Sequence, residues 1–148
     1  MRIAVRYHSR GGNTKTVAEA IARVLGVPAE PIEVPFEGFV DLLFVGGGVY
    51  GGMMKGDIDS ALRRYLEALT PDCVATVAAF STAGAADGAK IIAATVAKRG
   101  IRVCQETLPL KFGTRNHRTF VKTGTLTLTG KELTAIEKFV KAVCLPPQ

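Results

Sequence analysis

At 148 residues, 47% of them hydrophobic, the chain reads as a single domain, 1–148, able to bury roughly two-thirds of the surface its unfolded form exposes. Nineteen Lys and Arg against 13 Asp and Glu give a net charge of +6 and a pI near 9.5. That balance suits acidic partners, yet no nucleic-acid-binding signature accompanies it. No apolar run approaches the ~20 residues of a membrane span, and Cys73, Cys104 and Cys144 show no CxxC spacing. The expectation is a soluble, cytoplasmic protein with free, buried thiols, bound to neither membrane nor nucleic acid.

The first strand is the apolar run Ile3-Ala4-Val5 continuing to Tyr7. It feeds Ser9-Arg10-Gly11-Gly12-Asn13-Thr14, after which a helix over 13–25 places Val17, Ala18, Ile21, Val24 and Leu25 on one face and stops at Gly26 and Pro28. Strand two, 31–35, is bracketed by prolines and belongs at a sheet edge. Strand three, Asp41 to Val45, is apolar on both faces, as a central parallel strand must be. A glycine-rich loop, 46–56, follows. A helix over 58–69 is headed by Asp57 as N-cap and halted by Thr70-Pro71. Strand four runs from Cys73 to Phe80; the loop 81–87 leads to a helix over 88–99, capped by Asp87 and ended by Gly100. Strand five runs from Ile101 to Phe112. The final helix opens on Thr129-Gly130-Lys131-Glu132, with capping-box spacing, and turns Leu133, Ile136, Phe139, Val140 and Val143 inward.

Alternating strands and helices imply an α/β fold: a three-layer, doubly wound, five-stranded parallel sheet with right-handed crossovers. The order 2-1-3-4-5 puts strand two at an edge and a ligand crevice between strands one and three, beyond their carboxyl ends. The loops at 8–14, 46–56 and 81–87 converge there. The first is a phosphate-sized loop at a helix N-terminus, with backbone N–H groups, two hydroxyls and the positive end of the helix dipole. It lacks the Gly-x-x-x-x-Gly-Lys of triphosphate loops. Gly46-x-Gly48-x-x-Gly51 matches the dinucleotide fingerprint in form only, since no helix opens directly after it.

In Val5, Tyr7, Ser9, Gly12, Thr14, Ala18 and Ile21 the chain resembles the flavodoxin family, although Arg6 stands where that family has an aliphatic or aromatic residue and Gly11 where it often has Thr. The resemblance implies bound FMN, with the phosphate held by Ser9, Arg10, Gly11, Gly12, Asn13 and Thr14. The flavin ring would lie against Gly48, Val49, Tyr50, Gly51 and Gly52 on one side and Ser81, Thr82, Ala83 and Gly84 on the other. Arg10 either contacts the phosphate or extends into solvent. Tyr50 either stacks on the ring or is an ordinary loop aromatic. Gly51 and Gly52 either allow a peptide flip beside the ring or merely close a turn. His8 reads as structural, and no catalytic residue or metal ligand is expected.

Three function classes follow. The first is an electron carrier exchanging electrons through non-covalently bound FMN with redox partner proteins, here acidic ones given the net charge. The second is a flavin oxidoreductase of the same fold acting on a quinone or porphyrin-type substrate. The third is a flavin-free module binding a phosphate ligand or a protein. The basic group Lys111, Arg115, His117, Arg118 and Lys122 is either a docking patch or a solvated loop.

Overall fold

The computed structural model describes residues 1–51, 56–113 and 126–145. The described elements are β1 (Ile3–His8), α1 (Asn13–Leu25), β2 (Ala29–Pro31), β3 (Val40–Tyr50), β4 (Asp57–Ile58), α2 (Ser60–Ala68), β5 (Val74–Ala83), α3 (Gly88–Ala97), β6 (Arg102–Val103), β7 (Leu108–Lys111) and α4 (Gly130–Cys144). β2, β1, β3, β5 and then β6 with β7 lie side by side and parallel. This is the five-stranded order 2-1-3-4-5 expected from the alternation of elements, with β4 added as a short antiparallel return against β3.

The doubly apolar central strand divides two cores. Leu42 and Phe44 of β3 face one side with Val5, Val17, Ile21, Ile136 and Phe139, under α1 and α4. Leu43 and Val45 face the other with Leu62, Leu66, Val77, Ile92 and Val96, under α2 and α3. Phe44 meets Phe139 edge-on, with centroids 5.7 Å apart. The residues of each core alternate along the strand because successive side chains point to opposite faces. Among the described residues, no helix is long and apolar enough to cross a membrane. All three cysteines are free and half-buried.

Several boundaries differ from those read in the sequence. Strand two occupies 29–31 rather than 31–35: Tyr7 pairs with Pro31, Ile32 N–H still reaches the Tyr7 carbonyl, and Val34 N–H then turns back to the Pro31 carbonyl. Its edge position is as expected. Strand five is split, because between the pairs Thr76–Val77 with Arg102–Val103 and Phe80 with Leu108 the chain advances five residues against three, pushing Gln105 and Glu106 outward. The second helix starts at Ser60, capped by Asp59 rather than Asp57, because Asp57–Ile58 is drawn into pairing with Val49–Tyr50. The capping box at Thr129 and Glu132 is present in both directions. Val24 and Leu133, expected inward, are exposed, each within a turn of a helix end.

The glycine run after strand three is strand rather than loop through Tyr50. A Cβ on Gly46 would strike the Phe80 ring, and one on Gly47 would strike Leu62. These glycines let two core side chains lie directly on the sheet. The strand thereby continues towards the crevice without displacing either core.

Candidate functional site

The carboxyl ends of β1, β3 and β5 meet the N-terminus of α1 around a cleft of about 320 Å³. Ser9, Arg10, Gly11, Asn13, Gly48, Val49, Tyr50, Thr82, Ala83 and Gly84 line it. Three separate stretches of chain expected to share one crevice therefore do so. The remaining candidates lie around it or outside the described residues. Gly12 forms the helix cap, Thr14 and Ser81 are buried, and Gly51 is exposed. Gly52 lies outside the described residues, as do Arg115, His117, Arg118 and Lys122 of the basic group. Lys111, the described member, is exposed at the end of β7.

The loop before α1 is shaped by Gly12, whose φ of 99° is a left-handed conformation that a side chain resists. Gly12 N–H donates to Ser9 Oγ at 2.9 Å, closing the loop and leaving the Ser9 hydroxyl proton free to donate elsewhere. α1 itself has no side-chain cap and no acidic residue in its first turn. By contrast α2, α3 and α4 are capped by Asp59, Asp87 and Thr129. The first-turn N–H groups of α1 and its positive dipole end are thus left to whatever enters the cleft. Asn13 Oδ1 is buried there without a partner among the described residues.

Thr14 is turned inward. Its Oγ1 lies 2.7 Å from Thr82 Oγ1 across the α1–β5 junction, and both residues are almost fully buried. This bond ties the phosphate-sized loop to the opposite wall of the cleft. Ser81 faces away from the cleft: a Cβ on Gly88 of α3 would stand 3.0 Å from the Ser81 Cβ.

The Arg10 side chain, just over half exposed at the cleft, is paired rather than free. Nε and Nη2 each lie 2.8 Å from Asp59 Oδ2, and the guanidinium carbon sits 3.7 Å from the centroid of the Tyr50 ring. Asp59 also accepts from Ala61 N–H at 2.7 Å and stands 3.8 Å from His8 Nε2. The Ala61 N–H, followed by Arg10 and His8, holds the Asp59 carboxyl below its ordinary range, although partial burial opposes this. Burial raises the Tyr50 phenol, against the pull of the Arg10 backbone N–H and guanidinium. Asp59 was not among the residues singled out from the sequence; an Asp immediately before a Ser-headed helix was the available signal.

Arg6, the departure from the sequence signature, is buried and structural. Its side chain donates to the carbonyls of Val34, Val5 and Pro35 at 3.0, 3.1 and 3.3 Å, and lies over Phe36. Among the described residues, no group of acidic, His and Cys side chains is arranged to hold a metal ion.

No protein-family model matches the chain, and no curated protein matches it in sequence. Solved structures do match in shape. A flavodoxin from the domain Archaea superposes with a TM-score of 0.71 at 19% identity, covering 97% of this chain and 96% of that one. Flavodoxin 2 from Bacillus cereus gives 0.68 at 17%, covering 96% and 97%. Rubredoxin oxygen:oxidoreductase from Desulfovibrio gigas gives 0.69 at 13%; 95% of this chain matches 34% of that larger protein. The chain has a flavodoxin-like fold.

Proposed function

We propose that this protein binds FMN non-covalently and transfers electrons, as a flavodoxin does. The observation that carries the reading is the uncapped N-terminus of α1 opening onto a cleft built from three strand ends. The residues suit a phosphate-bearing ligand with a polyol chain. First-turn N–H groups and the Ser9 hydroxyl would hold the phosphate, and the orphaned Asn13 Oδ1 would accept a ribityl hydroxyl. Tyr50 would supply an aromatic face for the ring, and Thr82, Ala83 and Gly84 line the part of the cleft where its polar edge would lie. FMN, when bound, supplies the redox chemistry; these side chains bind and orient it, and none needs to act as an acid or base. The net positive charge and the exposed Lys111 favour an acidic redox partner.

The test is a titration of the purified chain with FMN and with riboflavin, followed by quenching of flavin fluorescence. FMN binding at least about tenfold tighter than riboflavin is expected, since the missing phosphate removes charge-assisted hydrogen bonds. Equal binding, or none, would refute the assignment. One observation favours a second reading, a flavin oxidoreductase: Ala83 and Gly84 leave the β5 side of the cleft without a bulky side chain, giving a flat acceptor room to approach. A saturable, acceptor-specific reoxidation rate with quinones would select it over the carrier.

A further inference from the structure

Asp59 is not part of the cleft lining, yet it fixes what stands in the cleft. Its Oδ1 caps α2 through Ala61 N–H. Its Oδ2 holds both Nε and Nη2 of Arg10. Fixed there, the planar Arg10 guanidinium lies at stacking distance from the Tyr50 ring. The phenol end of Tyr50 is folded down onto the strand: its Oη and Cζ lie 2.8 and 3.0 Å from where a Cβ on Gly48 would stand. Gly48 therefore provides a seat that any other residue would fill.

Building on the flavin-binding reading, we infer that Asp59, Arg10 and Tyr50 form a latch across the cleft, and that Asp59 is the positioning residue that sets how readily a planar, phosphate-bearing ligand enters. Entry of the ring requires the guanidinium to leave the face of Tyr50. Apparent affinity is then the intrinsic affinity reduced by the fraction of molecules with the latch open. Released from Asp59, Arg10 also becomes a free cation beside an anion-binding loop.

Asp59→Asn is the informative variant, because Asn caps a helix as well as Asp does but forms no ion pair with Arg10. The chain has no Trp and three Tyr, so acrylamide quenching of its intrinsic emission reads tyrosine exposure, and comparison with Tyr50→Phe isolates Tyr50. Asp59→Asn is expected to expose Tyr50 and to raise both FMN affinity and association rate about two- to fivefold, the range for releasing a partly exposed ion pair. Gly48→Ala, which changes no charge, should also expose Tyr50 by filling its seat. Unchanged Tyr50 exposure in Asp59→Asn, or greater exposure with FMN affinity unchanged or weaker, would overturn the latch. Absence of FMN binding in every variant would instead overturn the flavin reading, with the tyrosine measurement still deciding whether Asp59 holds the latch.

Discussion

Thr14→Val removes one hydroxyl of the buried Thr14–Thr82 pair while keeping the shape of the side chain. The two oxygens are 2.7 Å apart in residues only 2% and 4% exposed, so water does not readily replace the lost partner. Thr82 Oγ1 would then be a buried polar group without its bond, at a cost of about 1–3 kcal/mol. That is a sizeable part of the ~5–15 kcal/mol typical of a domain. Thr82→Val should cost a similar amount for the same reason. The double variant should lie within about 1 kcal/mol of the parent, because both polar groups are then gone and two methyl groups pack in their place. Urea denaturation of the four proteins, with stability extrapolated to water, gives the coupling energy directly. Single variants that lose less than a few tenths of a kcal/mol, or a double variant that loses the sum of the two, would refute the reasoning.

Gly46→Ala should destabilise by about 1–3 kcal/mol, through forced displacement of Phe80, and denaturation midpoints would register it. Thr129→Ala should lose about 1 kcal/mol by removing the Thr129 half of the α4 capping box, measured in the same way. The lowered Asp59 carboxyl makes stability pH-dependent: its contribution is present above the unfolded value near 4 and is lost as pH falls through the folded one. The stability difference between the parent and Asp59→Asn should accordingly be visible near neutral pH and vanish under acid conditions. A difference that persists at low pH would show that the carboxylate charge is not its source.

What could be read from the sequence was governed by local interactions. The capping box needs only Thr129 and Glu132, and the prolines of strand two disqualify it from a central position without reference to any other element. The loop at Ser9–Thr14 was legible because a strand, glycines and a helix follow one another directly. The misplaced features depend on distant chain. Whether Gly46 and Gly47 bend or extend is decided by Phe80 and Leu62. Asp59 rather than Asp57 caps α2 because the β3–β4 pairing draws Asp57 away first. Periodicity likewise cannot tell that Val24 and Leu133 stand where helix ends leave them uncovered. The fate of Arg10 was open for the same reason, since its partners, Tyr50 and Asp59, come from other elements.

The broken outer strands have a consequence for how molecules of this protein meet. One border of the sheet is β2, three residues ending in Pro31; the other is carried by β6 and β7, interrupted by the outward step at Gln105 and Glu106 and containing Pro109. A strand seeking to join either border would find few consecutive N–H and C=O groups to pair with, and a proline within reach on each side. Among the described residues, growth by edge-to-edge pairing is thus discouraged at both ends, and a crowded solution of this chain should resist fibrillar aggregation from the native state. Association with other molecules is left to helices and loops, which include the rim of the cleft.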